Sequence, residues 1–412
     1  MRPHRWFSEF GSTSDFGLQT VAVIKIRKLI NYSVIYLHYD TMLRRFSVQN
    51  YKNFQNRVTL DFTKTRDYHY NLSCVKDGLL NKVLIMGRNA SGKTNLGYAL
   101  FDIVYTLTEK LSIDHQKDKI SFINGATNSP EASFYYEFQY GEDVIEYEYH
   151  KTEPFIITYE SLRMNDRTIF KFDYHTGTKI TDGLSDYNAG NLDFGSVDGS
   201  LSVLKYIARS TPQTNGSPMH FVMDFVSHML YFRCTYDGNR FIGFFEGSEF
   251  MNEFIMNNNL VHDFEEFLHN TGGVDIRLDV ESNSFQKTLV QRLKYKTIPF
   301  EYNKSSGTHS LELYYYWSKK FDTVSFLFID EFDAYYHYEL AEKIIRHAVE
   351  SVNVQTIFTS HNLTLVDNSI MRPDCYLLLD KGKIRSLVDS TSRELREAHN
   401  LAKMLHNGEF DE

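Results

Sequence analysis

Alternating hydrophobic and polar residues mark the first group of predicted elements. This pattern is typical of antiparallel strands with one buried face. Residues 50–56 would form the turn between the first two strands, and Gly141 would lie in the hairpin between the next two. The segments with this alternation are 44–48, 57–62, 132–140, 144–150 and 155–164. Together they predict a β-rich antiparallel lobe.

Mostly apolar runs form a second group, at residues 80–86, 324–329 and 356–359. Such runs indicate parallel strands that are buried on both faces. One segment with apolar residues at helical spacing comes after the first run, and another lies between the second and third runs. The residues with this spacing are Leu96, Ala99, Leu100, Ile103, Val104 and Leu107, and then Leu340, Ile344, Ile345, Ala348 and Val349. Strands that alternate with helices predict an α/β fold.

The α/β pattern is interrupted between residues 201 and 273, where apolar residues recur at helical spacing. We therefore expect an inserted helical domain over 201–273. The residues on its predicted helix faces are Phe221, Phe225, Val226, Met229, Leu230, Phe250, Phe254, Ile255, Leu260, Val261, Phe264 and Leu268. The remaining predicted divisions are an N-terminal extension over 1–41, expected to be poorly ordered, and the two halves of the main fold over 42–200 and 274–412.

The first apolar run ends in a glycine-rich segment that carries chemistry. Its residues are Gly87, Arg88, Asn89, Ala90, Ser91, Gly92, Lys93 and Thr94, and Asn95 continues into the predicted helix. Two glycines at this spacing allow backbone N–H groups to surround a polyphosphate at a helix N-terminus. Lys93 supplies a positive charge to the phosphates, and the Thr94 hydroxyl can bind Mg²⁺. Residues 87–95 therefore predict a nucleoside triphosphate site.

Two further strands end in residues that suit the same reaction. Asp330 and Glu331 follow the run at 324–329, and His361 follows the run at 356–359. Asp330 can hold Mg²⁺, and Glu331 can orient and deprotonate the attacking water. His361 would sense the γ-phosphate. These assignments make Glu331 and His361 the candidate catalytic residues.

A second small-residue loop precedes the acidic pair and opens a predicted helix. It contains Ser305, Ser306, Gly307 and Thr308 after Lys304. A helix N-terminus of this kind favours an anion, and because the first loop already holds the phosphates, this one would serve the nucleotide of a partner protomer. A simple helix N-cap by Ser305 or Ser306 is the alternative.

Composition narrows the classes of protein that remain. The chain has 412 residues, a formal net charge of −9 and three cysteines. The negative charge argues against a general polyanion-binding surface but allows a local basic patch. The cysteines are far apart along the chain, which favours free thiols in a reducing compartment over a metal site. No apolar run is long enough to span a membrane. We expect a cytoplasmic protein without membrane contact.

These motifs, in this order, resemble the ABC-type ATPase heads of the SMC, Rad50 and RecF class, and within it the AAA15/OLD-like ATPases of bacterial anti-phage systems. Asn89 matches the phosphate loop of that class, and one departure is Lys304, which stands where the family signature loop commonly has leucine. The other segments that carry the resemblance are Phe46–Phe54, Asp330–His337, Met371–Asp374 and Asn407–Phe410. The resemblance implies a P-loop NTPase of ABC/SMC-head type, with a Q-loop glutamine for which Gln139 is the candidate by position.

The same resemblance implies an activity and partners. It implies an ATPase that uses ATP and Mg²⁺ at sites shared within a homodimer or larger homo-oligomer, with slow turnover. By its size, the chain resembles the ATPase subunit of the PARIS type, which implies a toprim-like nuclease as a separate effector and a phage-encoded trigger protein. The alternatives are a RecF/Rad50-like DNA-repair ATPase and a Septu- or retron-type ATPase paired with an HNH nuclease. Nucleic-acid binding stays open at this point.

Overall fold

The computed structural model describes residues 41–108, 120–212, 216–234, 241–243, 250–283, 286–351 and 353–411. The predicted N-terminal extension lies outside these residues except for Thr41, which already belongs to the first strand. In the described part of the chain, no helix has the length and apolar character needed to cross a membrane.

The strands, in chain order, are β1 Thr41–Gln49, β2 Val58–Asp61, β3 Val75–Lys76, β4 Leu79–Leu80, β5 Lys82–Met86, β6 Ala132–Tyr140, β7 Asp143–Glu153, β8 Ile156–Met164, β9 Arg167–Asp173, β10 Thr178–Ile180, β11 Met229–Arg233, β12 Phe241–Gly243, β13 Leu278–Ser282, β14 Lys287–Arg292, β15 Thr297–Pro299, β16 Phe326–Asp330, β17 Gln355–Ser360, β18 Tyr376–Asp380 and β19 Lys383–Ser386. The α-helices are α1 Lys93–Leu100, α2 Asp102–Leu107, α3 Val203–Ser210, α4 Pro218–Ser227, α5 Met251–Asn257, α6 Val261–Gly272, α7 Phe300–Asn303, α8 Ser306–Ser318, α9 Tyr338–Glu350 and α10 Leu401–His406.

The core sheet has the strand order β12-β11-β16-β17-β5-β18-β19. Its five inner strands run parallel, whereas β12 and β19 pair antiparallel at the two edges. Every residue of β5, β16 and β17 is buried, as their mostly apolar sequences predict. Because parallel strands end at one edge of a sheet, the loops after β11, β16, β17 and β5 meet there.

The antiparallel lobe is a second seven-stranded sheet, with the order β10-β9-β8-β7-β6-β1-β2. The predicted hairpin around Gly141 is confirmed by the pairing of β6 with β7. The alternating pattern does not predict β9 and β10, nor β14 and β15, which form a small sheet with β13. Gln355, the first residue of β17, joins the two large sheets: its side-chain amide accepts from Leu43 N (2.9 Å) and donates to Leu43 O (2.9 Å).

Helix α1 lies between the two large sheets. A Cβ atom added at Gly97 would lie 2.8 Å from the Tyr231 ring and 2.9 Å from the Phe328 ring, so this face of the helix packs directly on the core sheet. On the other side, the Tyr136 hydroxyl of β6 donates to Ala99 O (3.1 Å). This packing fixes the helix that carries the phosphate loop.

One prediction within the inserted block is wrong. The apolar spacing predicts a helix face that includes Met229 and Leu230, but these residues begin β11, which pairs with β16 over five residues of the core sheet. Part of the block from 201 to 273 thus belongs to the main fold. Helices α3, α4, α5 and α6 agree with the helical pattern of the rest, and the division into domains stays a proposal.

Candidate nucleotide site

The phosphate loop joins β5 to α1, as the sequence predicts. Helix α1 begins at Lys93, and its N-cap residue Gly92 has φ 107°, a left-handed conformation that favours glycine. Lys93 Nζ donates to Gly87 O (2.7 Å) and Arg88 O (3.2 Å), so the lysine folds back over the loop. Burial lowers the pKa of Lys93, and the nearby Asp330 carboxylate opposes this shift. The ammonium group is therefore held above the loop that would receive phosphates.

Asp330 connects the phosphate loop to the end of β16. Thr94 Oγ1 donates to Asp330 Oδ2 (2.7 Å), and Thr359 Oγ1 donates to Asp330 Oδ1 (2.6 Å). The Asp330 carboxylate is fully buried. A hydroxyl beside a carboxylate suits Mg²⁺, which proteins commonly hold through one or two carboxylates together with substrate phosphates. Thr94 and Asp330 are thus the residues that would hold the metal, which would neutralise phosphate charge when bound.

Glu331 follows Asp330 in an unusual backbone conformation, with φ +48°. A glutamate rarely adopts this left-handed region, so the surrounding contacts impose it. The Glu331 N–H donates to Thr359 Oγ1 (2.8 Å), and Arg233 Nη2 donates to Glu331 Oε2 (2.7 Å). About a third of the Glu331 side chain is exposed, which suits a group that would meet a water molecule.

His361 comes directly after β17, on the same edge as Glu331, and its side chain is exposed. Ser360 Oγ donates to Asp333 Oδ2 (2.8 Å) nearby. Burial raises the pKa of Asp333, and the charge of His361 acts in the opposite direction. The structure therefore brings residues 87–95, Asp330, Glu331 and His361 to one edge of the core sheet, as the sequence predicts.

The signature loop, residues 304–308, forms the start of α8. Ser305 is the N-cap, and its Oγ accepts from Thr308 N (3.1 Å), so the alternative of a helix cap is observed. Ser306 is exposed beside a cavity of about 230 Å³. An added Cβ at Gly307 would lie 3.4 Å from Tyr335 O, which places the loop next to the segment after Glu331. None of the contacts of the described residues joins this loop to the phosphate loop of the same chain.

Lys304 has a different role from the leucine usual in related loops. Its side chain is 5% exposed, and its Nζ lies 2.6 Å from Oε2 of the fully buried Glu312. A second contact joins Nζ to Glu301 Oε2, also at 2.6 Å. A buried ion pair therefore fixes the start of α8.

Gln139 is not joined to the phosphate loop by any contact described for it. It lies in β6, pairs with Met42 of β1, and accepts from Arg44 Nη1 (3.2 Å). Asn53 instead reaches the loop, because Asn95 Nδ2 donates to Asn53 Oδ1 (2.6 Å). A side chain at Gly92 would collide with Asn53. The pattern of the sequence assigns no role to Asn53, because the residue lies in the predicted turn 50–56, although the resemblance includes that segment.

Two residues of β11 also reach the site without having been predicted. Tyr231 OH donates to Asp330 Oδ2 (3.2 Å), and Arg233 Nε lies 3.4 Å from the same oxygen. A helix in this segment would not bring Tyr231 and Arg233 to the edge of the core sheet, so the helical prediction gave no sign of their role. An apolar run that ends in arginine, from Met229 to Arg233, was the available signal.

The sequence between residues 83 and 367 matches the family described as "AAA domain, putative AbiEii toxin, Type IV TA system", over well more than half of the chain. The chain belongs to this family. It is thus an AAA-type P-loop ATPase domain, and the two seven-stranded sheets confirm the predicted α/β fold with an antiparallel lobe.

Several solved SMC heads are similar to this member of the AAA family. An SmcHead bound to the C-winged helix domain of ScpA is 14% identical, with 84% of this chain and 97% of that chain covered and a TM-score of 0.41. A Pyrococcus furiosus Smc head with an extended coiled coil, bound to the C-terminal domain of ScpA, is 13% identical (84% and 96% covered, TM-score 0.42). The SMC head domain from Thermotoga maritima is 12% identical (84% and 98% covered, TM-score 0.40). No curated protein matches the sequence.

Proposed function

We propose that this protein is a slow ATPase that closes around ATP as a pair of protomers and thereby controls a separate effector. The observation that carries the proposal is the direct contact between Thr94 of the phosphate loop and Asp330 (2.7 Å), with Glu331 on the same edge. In this arrangement Lys93 would bind the phosphates, Thr94 and Asp330 would hold Mg²⁺, and Glu331 would take the proton of the attacking water.

The sharing of the site between two chains is supported by the signature loop. Ser306 is exposed at the start of α8, a helix of 13 residues. The N–H groups and dipole of such a helix favour an anion. Within one chain this loop lies beside Tyr335, and a second protomer would bring it to the opposing ATP. Closure would then depend on the γ-phosphate, and hydrolysis would loosen the pair.

The role in anti-phage defence rests on the family and on the sequence resemblance. The family description names a toxin and a toxin–antitoxin system, which favours a defence role over DNA repair. We propose a cytoplasmic system in which a phage-encoded trigger acts on the ATPase and a toprim-like nuclease is the effector. Co-purification of the tagged protein with its genomic neighbour tests the effector: an HNH nuclease in its place would favour the Septu or retron type.

A mixing experiment tests whether the site is shared. Lys93→Ala removes the phosphate lysine, and Ser306→Arg blocks the signature loop, so each variant alone should be inactive. In a 1:1 mixture, each mixed dimer keeps one complete site, and random pairing predicts about a quarter of wild-type ATPase activity.

The matched control mixes Lys93→Ala with the double variant Lys93→Ala/Ser306→Arg. Every site in that mixture lacks the phosphate lysine, so it should stay inactive. If the first mixture is also inactive while size-exclusion chromatography shows that mixed oligomers form, the loop does not act in trans.

A further inference from the structure

We infer that Arg233 is a latch on Glu331: it holds the glutamate until the γ-phosphate of ATP draws the guanidinium away, and ADP cannot release it. This inference rests on the proposed ATPase function and adds a positioning residue to the same site. Its consequence is that Glu331 is free to orient water only when a triphosphate is bound.

The position of Arg233 is set by the core sheet. Arg233 is the last residue of β11 and pairs with Asp330, the last residue of β16, in a parallel register that starts at Met229 and Phe326. The four residues before Arg233 are buried, so a shift in register would expose apolar side chains. The guanidinium is therefore delivered to the edge where the acidic pair lies.

The contacts of Arg233 are those of a cation between two carboxylates. Its Nη2 lies 2.7 Å from Glu331 Oε2, and its Nε lies 3.4 Å from Asp330 Oδ2. Asp330 Oδ2 also accepts from Thr94 and Tyr231, so Asp330 has other partners. The Glu331 carboxylate has Arg233 as the partner described for its oxygens. Because about a third of the Arg233 side chain is exposed, it has room to move.

The γ-phosphate competes with Glu331 for the guanidinium. Arginine presents a planar fork that matches phosphate oxygens in pairs, whereas it contacts Glu331 through one nitrogen. A phosphate at the end of a triphosphate also carries more negative charge than one carboxylate. ADP ends one phosphate earlier, so the pair between Arg233 and Glu331 would persist with ADP and re-form after hydrolysis.

The test compares the affinities of a non-hydrolysable ATP analogue and of ADP in Arg233→Gln and Arg233→Lys, with Mg²⁺ present, by a fluorescent-nucleotide titration. Loss of a hydrogen bond between charged groups predicts roughly 10- to 100-fold weaker binding of the analogue to Arg233→Gln. ADP affinity should stay within about twofold, since ADP does not reach the latch. Arg233→Lys should give an intermediate preference, because lysine keeps the charge but lacks the fork.

Arg45→Gln is the matched control, since Arg45 also bridges two carboxylates, Asp61 and Glu137, but in the antiparallel lobe. It should keep the wild-type preference. An unchanged preference in Arg233→Gln, or equal losses for both nucleotides, would overturn the latch. If Arg233→Gln does not fold, a wild-type preference in Arg233→Lys has the same meaning. Failure of the wild-type protein to bind either nucleotide would instead refute the proposed function.

Discussion

Replacing Lys304 by leucine, the residue common at this place in the signature loops that the sequence resembles, should destabilise this protein. Lys304→Leu removes the cation beside Glu312, whose carboxylate is fully buried and lies 2.6 Å from Lys304 Nζ. The substitution would leave that buried carboxylate without its lysine. The leucine that suits related loops is therefore unfavourable here unless Glu312 changes as well.

The structure sets the size of the effect. Removing one partner of a buried ion pair costs about 3–5 kcal/mol. The contact with Glu301 adds about 0.2–1 kcal/mol at most, because the Glu301 side chain is mostly exposed. His309 Nδ1 lies 3.7 Å from Glu312 Oε2, close enough for a small movement to give the carboxylate a new polar partner, so we expect a value near 3 kcal/mol. The double variant Lys304→Leu/Glu312→Met removes both charges and should lie within about 1 kcal/mol of the wild type, or above it.

Urea denaturation measures the free energy of unfolding of the two variants and the wild type. The control is Arg393→Leu, which breaks an exposed pair with Glu409 and should cost less than about 1 kcal/mol. Wild-type stability in Lys304→Leu would refute the reasoning. Equal losses in the single and double variants would show that the unpaired carboxylate is not the cause.

Two further predictions concern the phosphate site and the strand that leads into it. Lys93→Ala should abolish nucleotide binding. Glu331→Gln should retain binding but slow ATP turnover by roughly 10²–10⁴-fold, because a positioned general base is lost. Unchanged turnover of Glu331→Gln in a phosphate-release assay would contradict the general-base role of Glu331. Burial lowers the pKa of Lys82 to about 7, while an unfolded lysine titrates near 10.4. Between about pH 7 and 10 the unfolded chain therefore binds more protons than the folded one, so this group makes stability rise with pH. Lys82→Met should flatten that rise in urea titrations across the window, and an unchanged slope would argue against Lys82 as its source.

The sequence determined the parts of the site that depend on neighbouring residues. The phosphate loop needs glycines, a lysine and a threonine at fixed spacing between a strand and a helix, and all of these lie within residues 82–100. Asp330 and His361 were found because each follows an apolar run, and parallel strands deliver their ends to one edge. Local spacing and the rule for strand ends were sufficient for these residues.

The tertiary structure decided which distant residues join them. A short apolar run such as 229–233 fits a buried strand as well as a buried helix, so periodicity could not assign it, and pairing with β16 settled the question. That pairing brings Arg233 to Glu331, and the packing of a turn against α1 brings Asn53 to Asn95. Lys304 and Glu312, eight residues apart, likewise form a pair because the start of α8 and the burial of both side chains bring them together. These contacts depend on register and burial, which no contiguous stretch of the sequence contains.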